Sequence, residues 1–347
     1  MTDTALEQSD AATTAPVKPA LPSRILIRSS NWLGDAVMTV PAIRAIKRSE
    51  PSPHVAVLTQ GKLADFWKAV PEVDEIIEIK NSDTVFSVAR KIKGFEMALL
   101  LPNSIRSALE VYLARIPRRA GYLGKKRRWL LNEILDEKPR SERPRHQVYH
   151  YLDLAKFAGA TVDDAALNPG SFFPSNRNSK IATDRKIKIG LCPGAEYGAA
   201  KRWLPERFAE VANTVSQRRE CEWFLYGTQR DKTVGDGIAG LLEGSFTDLI
   251  GKTTLAELIA SLTQCSLLVT NDTGTMHLAA FLGVPTVSIF GSTEPILTGP
   301  LGAGHRVLRH HVECSPCFLR DCPIDFRCMK SVETGEVVEA VLRTIDA

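Results

Sequence analysis

Three short stretches of the chain bring together residue types that could do chemistry, and the first ends in a carboxylate. In "RSSNWLGDAVM", residues 28–38, Asp35 follows a lone glycine between an apolar run and a segment with helical spacing. A dinucleotide loop would need G-x-G-x-x-G here, and a P-loop a Lys-Ser/Thr step at the helix start; neither is present. What remains is a polar turn that presents Asp35. The residue is either the N-cap of the following helix or a general base facing a cleft, and the residues alone leave both readings open. The helix dipole is expected to keep it ionised near neutral pH.

The other two stretches suit an anion. "CPGAEYGAAKRW", residues 192–203, is a loop with two glycines and an adjacent cation pair, Lys201 and Arg202, before Pro205, a favoured first residue of a helix. In "VTNDTGTMH", residues 269–277, a strand ends and Asp272, Thr273, Gly274 and Thr275 start a helix. Free N–H groups at a helix start bind anions, and a glycine lets the anion approach. His277 lies one turn in, on the side of Thr273. The plainer alternatives are a solvated cation pair, a capping Asp272 and a half-buried His277.

Two further clusters are less specific. "ARIPRRAGYLGKKRRWLL", residues 114–131, holds seven cations with Tyr122 and Trp129 interleaved. No nucleic-acid motif accompanies it, so an anionic acceptor, an anionic membrane surface or a solvated face remain. Cys314, Cys317, Cys322 and Cys328 are close enough in sequence to hold a structural zinc ion. However, a zinc ribbon would pair two C-x-x-C units and only one is present; a disulfide or free thiols stay open, and no metal is expected to be required for catalysis.

The elements that must position these residues follow from the apolar pattern. The chain has 347 residues, 44% of them hydrophobic and 24% charged, with a net charge of +4. These are ordinary globular values, and at ~150 residues per domain the length suggests about two domains. Residues 1–22 are polar and lack an apolar signal core, so a disordered leader is expected. No run reaches the ~18 apolar residues of a membrane span, and a reducing cytoplasm is the default compartment for the thiols. Apolar runs at 24–28, 54–59, 75–79 and 97–101 alternate with helical stretches, and Pro41 should bend the first helix. The alternation stops in an Asn-, Ser- and Pro-rich linker at 166–185 and restarts beyond it. Continuous apolar strands between helices predict parallel sheets covered on both faces. The expected fold is therefore α/β, with two Rossmann-like doubly wound domains at 23–165 and 186–330 facing across a cleft, and a last helix within 331–347. Ligands in such sheets sit beyond the carboxyl ends of strands, and Asp35, Lys201 and Gly274 all lie in loops of that kind.

Taken together, "ILIRSSNWLGDAVMTVPAIRAIK", "LPNSIRSAL", "CPGAEYGAAKRWLPERFAEVA", "TNDTGTMHLAAFLGVPTVSIFGSTEP" and "CSPCFLRDCP" resemble the ADP-heptose:lipopolysaccharide heptosyltransferases, glycosyltransferase family 9. The resemblance is strongest to the members that add the second heptose. It implies a GT-B fold, an acceptor site in the first domain, an ADP-sugar site in the second, and inverting transfer without a catalytic metal. By residue it implies Asp35 as catalytic base and Lys201, with Arg202, Asp272, Thr273, Gly274, Thr275 and His277, as the donor site. Asn31, Asn103, Ser104, Arg106 and Arg119 are expected to seat the acceptor, with Gly34 leaving room for its sugar. The implied partners are ADP-heptose, a heptosyl-Kdo-lipid A acceptor and peripheral contact with the cytoplasmic face of the inner membrane, with no nucleic acid. A sibling transferase acting at another core position, or a GT-B nucleotide-sugar epimerase, are the alternatives. Relatives are expected to carry a histidine near "CPIDFRCM", where this chain has Phe326-Arg327, and this weakens a mixed Cys/His metal site.

Overall fold

The computed structural model describes residues 20–124, 126–136, 144–163 and 186–347. The expected linker at 166–185 and residues 1–19 of the expected leader lie outside the described residues. Leu21, near that boundary, is buried in the first domain, and Arg118 donates to the Ala20 carbonyl.

The first domain runs β1 (Arg24–Arg28), α1 (Leu33–Lys47), β2 (His54–Gln60), α2 (Ala64–Lys68), β3 (Glu75–Ile79), α3 (Val85–Lys91), β4 (Met97–Leu100), α4 (Ile105–Leu113), β5 (Arg118–Tyr122), β6 (Glu133–Leu135) and α5 (Gln147–Ala158). The second runs β7 (Ile187–Cys192), α6 (Pro205–Ser216), β8 (Cys221–Leu225), α7 (Lys232–Ala239), β9 (Phe246–Asp248), α8 (Leu255–Leu262), β10 (Leu267–Asn271), α9 (Gly274–Phe281), β11 (Thr286–Ile289), α10 (Pro295–Thr298), β12 (Arg306–Leu308), α11 (Arg327–Lys330) and α12 (Thr334–Ile345). Both sheets have six strands, ordered β3-β2-β1-β4-β5-β6 and β12-β11-β10-β7-β8-β9. Every pairing is parallel.

Counted within each half, both sheets follow the order 3-2-1-4-5-6. The strand order reverses between β1 and β4 and again between β7 and β10. Crevices for ligands open at the carboxyl ends of strands at such reversals. The turns after β1 and β4, and those after β7 and β10, are the ones that carry the chemistry-bearing residues.

Strands β1, β2 and β4 are continuous apolar runs because helices cover both faces. Ile25 and Ile27 pack toward α1 and α5, and Leu26 toward the α3–α4 side. Three strands escaped the apolar reading. β5 is "RRAGY", inside the stretch read as a basic patch, and β6 and β12 are three residues each. β6 and β12 add on at sheet edges, where backbone pairing needs little apolar side chain, whereas β5 lies between β4 and β6 and buries Ala120 and Tyr122. Helix α12 lies on the second domain, with Val337 and Val341 in its core.

The two domains meet along helices. Apolar packing continues from α1 and α5 of the first domain to Leu278, Ala279 and Phe281 on α9 of the second. Phe66 on α2 meets Phe281 edge-on at 5.5 Å between ring centres. The tightest approach is between the starts of α1 and α9. A Cβ on Gly34 would sit 2.9 Å from Cδ2 of His277, and one on Gly274 would sit 3.0 Å from Leu33 Cβ and 3.1 Å from the Gly34 nitrogen. The expectation that Gly34 leaves room for an acceptor sugar is therefore corrected: the space beside it is filled by the second domain. Gly274→Val is expected to force this seam apart and cost about 1–3 kcal/mol of stability, as overpacking does. A melting temperature equal to that of the parent would show that the seam yields freely.

Candidate functional site

Asp35 is the third residue of α1. The N-cap position is taken by Trp32, which makes no side-chain cap bond. The capping role is thus replaced by a tertiary one: the Tyr151 hydroxyl, on α5, donates to Asp35 Oδ1 at 2.8 Å. Burial pushes the Asp35 carboxyl above its ordinary value, while the Tyr151 hydrogen bond and the Lys201 ammonium pull it down. Desolvation at the domain seam is the larger of these effects. A carboxylate raised in this way is a better proton acceptor than an exposed one. Sequence reading missed Tyr151, which lies 116 positions away from its partner.

Tyr151→Phe removes one of the two groups that hold the Asp35 pKa down. The acid limb of the pH–rate profile is expected to move to higher pH. An unmoved limb would mean that the bond does not tune the base.

Across the seam lie the donor candidates. Lys201 ends a single 3₁₀ turn, Ala199–Lys201, and its Nζ lies 2.6 Å from Asp272 Oδ2. The same oxygen accepts from the Thr293 hydroxyl at 2.7 Å. Asp272 is buried and does not cap α9, whose N-cap is Thr273 without a side-chain bond. Arg202 reaches Asp231 at 3.3 Å, and Asp231 is itself fixed by the Thr228 N–H and hydroxyl. Each cation of the adjacent pair thus has its own carboxylate, as partly buried charges require. Among the described residues no side chain caps the N–H groups that open α9, and the dipole end they form favours an anion.

His277 is buried beside Gly34, and burial, ahead of its neighbours' charges, drives its pKa down to about 4. With its pKa that low it is neutral at pH 7, and its ring packs against the start of α1. The Thr275 hydroxyl reaches the buried Cys192 thiol. His146, at the N-cap of α5, contacts the Gly299 carbonyl at 2.9 Å, a second tie between the domains.

The loop after β7 is braced by the cysteine segment. Ala200 N–H donates to the Arg320 carbonyl at 2.9 Å, and the Tyr197 hydroxyl to the Phe318 carbonyl at 2.9 Å. The Tyr197 ring takes two cations, the Lys201 ammonium 4.9 Å from its centre and the Arg320 guanidinium at 5.0 Å. Cys314, Cys317, Cys322 and Cys328 are all free thiols. Among the described residues no group of three or more His, Cys, Asp or Glu is arranged to hold a metal ion. The segment is also tied by the Ser315 hydroxyl, which donates to the Gly291 carbonyl at 2.7 Å.

The acceptor candidates are only partly brought together. Asn31 is exposed in the turn before Asp35. Asn103 and Ser104 lie on the loop after β4, on the same edge of the sheet. The Asn103 side-chain oxygen accepts from Arg127 at 2.8 Å, and Ser104 caps α4. Arg106 turns toward Glu110 and the Asp83 carbonyl. The structure does not bring Arg119 to this group. Its guanidinium donates to the carbonyls of Ile116 and Leu130 and lies over Tyr112 on the α4 side of the sheet. Arg127, counted with the surface patch, is fully buried. Arg28 and Glu110 form a buried ion pair at 3.0 Å that ties β1 to α4.

Residues 85–326 match the glycosyltransferase family 9 (heptosyltransferase) model. The chain belongs to this family. It is 30% identical over 311 residues to lipopolysaccharide heptosyltransferase 2 of Escherichia coli K12, covering 82% of this chain and 88% of that protein. Over 309 residues it is 29% identical to lipooligosaccharide heptosyltransferase 2 of Haemophilus influenzae, with 82% and 88% covered. Among solved structures, E. coli ADP-heptose LPS heptosyltransferase II superposes with a TM-score of 0.75 at 27% identity over 93% of this chain and 98% of that one. E. coli heptosyltransferase WaaC with ADP shares the fold, with a TM-score of 0.71 at 18% identity and 92% and 99% covered. The family 9 chain described here is thus a GT-B glycosyltransferase, a heptosyltransferase of lipopolysaccharide core biosynthesis. Among its described residues no helix is long and apolar enough to cross a membrane.

Proposed function

We propose that the chain transfers L-glycero-D-manno-heptose from ADP-heptose to a hydroxyl of a heptosyl-Kdo-lipid A acceptor, as the second heptose, with inversion at the anomeric carbon. The observation that carries this reading is the meeting of Asp35 from one domain with Lys201 and the start of α9 from the other. Asp35 takes the proton of the acceptor hydroxyl while that oxygen bonds to the anomeric carbon from the face opposite the diphosphate. The anomeric carbon–oxygen bond breaks, and its electron pair leaves with ADP. Lys201 and the N–H groups of α9 offset the charge gathering on the leaving diphosphate. Asp272 and Thr293 hold the lysine in place before the donor arrives. Asn31, Asn103 and Ser104 edge the acceptor side of the cleft.

The boundaries proposed for the domains, 23–165 and 186–330, put base and donor loops on different bodies, so one side binds each substrate. Purified protein given ADP-heptose and defined truncated core acceptors tests the reading, with the product linkage read by NMR. A β-to-α or α-to-β change at the anomeric centre on the heptosylated acceptor is expected. Epimerised nucleotide sugar from donor alone would overturn the reading in favour of an epimerase, and transfer only to a different core position would move the chain to a sibling role.

A further inference from the structure

The outer face of α3 and α4 is not used by the chemistry above, and its composition is unlike that of an ordinary surface. Between Thr84 and Asn132 the only acids are Glu96 and Glu110, among eleven lysines and arginines. Glu96 is bonded to Ser23 and the Arg24 N–H at the amino ends of β1 and β4, and Glu110 is buried. Lys91 pairs with Asp83, Arg106 with Glu110 and Arg118 with Glu133. Arg115, Lys126 and Arg128 are exposed and, among the described residues, have no ion-pair partner, so the face keeps a net cationic rim.

It is also apolar. Phe86 on α3 is 64% exposed, Ile105 and Tyr112 on α4 are 45% and 42% exposed, and Trp129 is 67% exposed. Ile105, Leu109 and Tyr112 fall at i, i+4 and i+7, which places them in one stripe on the solvent side of α4. Trp129 meets Tyr112 edge-on at 6.0 Å, and the Arg119 guanidinium lies 5.5 Å from the Tyr112 ring centre. Because Arg119 is tied to the carbonyls of Ile116 and Leu130, this aromatic pair is held from beneath and presented outward. Exposed Arg115, Lys126 and Arg128 flank it. Solvated faces carry cations, but they do not hold out a braced Trp–Tyr pair.

We propose that this face rests on an anionic bilayer surface, with Trp129 and Tyr112 at headgroup level and the flanking cations on lipid phosphates. Amphipathic rings favour that depth, and each cation near an anionic leaflet adds attraction. The choice of a bilayer over a polyanion in solution rests on the proposed function, since a lipid-anchored acceptor is presented at a membrane. The geometry agrees: the loop after β4 and the segment leading to Trp129 are joined through Arg127, which donates to both Asn103 and Pro102. Surface contact and the acceptor side of the cleft are thus mechanically continuous.

Co-sedimentation of the full chain with vesicles tests this. Binding to phosphatidylglycerol–phosphatidylcholine vesicles, little binding to phosphatidylcholine alone, and loss with rising salt are expected. Trp129→Ser with Arg128→Ser should weaken vesicle binding at least tenfold, the loss of one cation alone being worth about fivefold. The same variant should keep the parental rate on a deacylated, water-soluble acceptor and lose rate on acceptor embedded in vesicles. Equal vesicle binding by variant and parent would overturn the proposal, as would a parent that ignores anionic vesicles or binds single-stranded RNA in their place. Failure of the parent on the soluble acceptor, with vesicle binding intact, would instead overturn the functional reading and leave the docking face standing.

Discussion

Asp35→Asn is expected to lower kcat by about 10²–10⁴-fold, the usual contribution of a positioned base, while leaving the fold at least as stable as the parent. The second half of that expectation follows from the direction of the pKa shift. Burial raises the Asp35 carboxyl above its unfolded value. A group with a raised folded pKa favours the fold while protonated and penalises it once ionised. Stability therefore falls as pH climbs through the carboxylate range and reaches a plateau above the folded pKa. Asparagine carries no charge to desolvate and keeps an oxygen to accept from Tyr151, so the penalty present at pH 7 is removed. Transfer rates and melting curves at pH 7 check both halves. A parental rate would show that Asp35 is not the base. A loss of rate together with a lower melting temperature would show that the carboxylate matters mainly to packing.

The second large effect belongs to Lys201→Met. Removing a donor aimed at developing charge costs on the order of 10²–10³-fold in kcat. Here the substitution does more, because Asp272 is buried and loses its cation while keeping the Thr293 hydroxyl. Breaking a buried pair from one side costs about 3–5 kcal/mol. Adding Asp272→Asn should restore most of the melting temperature without restoring transfer, which separates the structural cost from the chemical one. Loss of the ammonium also removes a charge that lowers the Asp35 pKa, so the acid limb of the residual rate should move to higher pH. Full activity in the double variant would assign the diphosphate to the start of α9 alone.

The parts of the fold legible in the sequence were those whose signal is local. Runs such as "HVAVL" and "SLLVT" are apolar because helices cover both sheet faces, and that periodicity survives in one dimension. β5 was hidden because Arg118 and Arg119 read as surface charge, although Arg118 is paired with Glu133 on the neighbouring strand. Arg127 and Arg128 are adjacent in sequence, yet one is buried among carbonyls and the other is exposed. Nothing in "KKRRW" distinguishes them. The site was legible at the level of loops, since β1, β7 and β10 each end in a turn of polar and small residues. Its wiring was not. Tyr151, Asp231 and Thr293 are set against Asp35, Arg202 and Asp272 by the closing of sheets, and no spacing rule connects them.

The contact between Gly34 and Gly274 bears on modular exchange within the family. Because the backbones of the two domains touch one residue away from the base, the reach from Asp35 to the donor is set by that joint as much as by either half. A chimera joining the first domain of one member to the second of another inherits this spacing only if both glycines come with it. Donor preference should then travel with the second domain and acceptor preference with the first, while the rate travels with the joint.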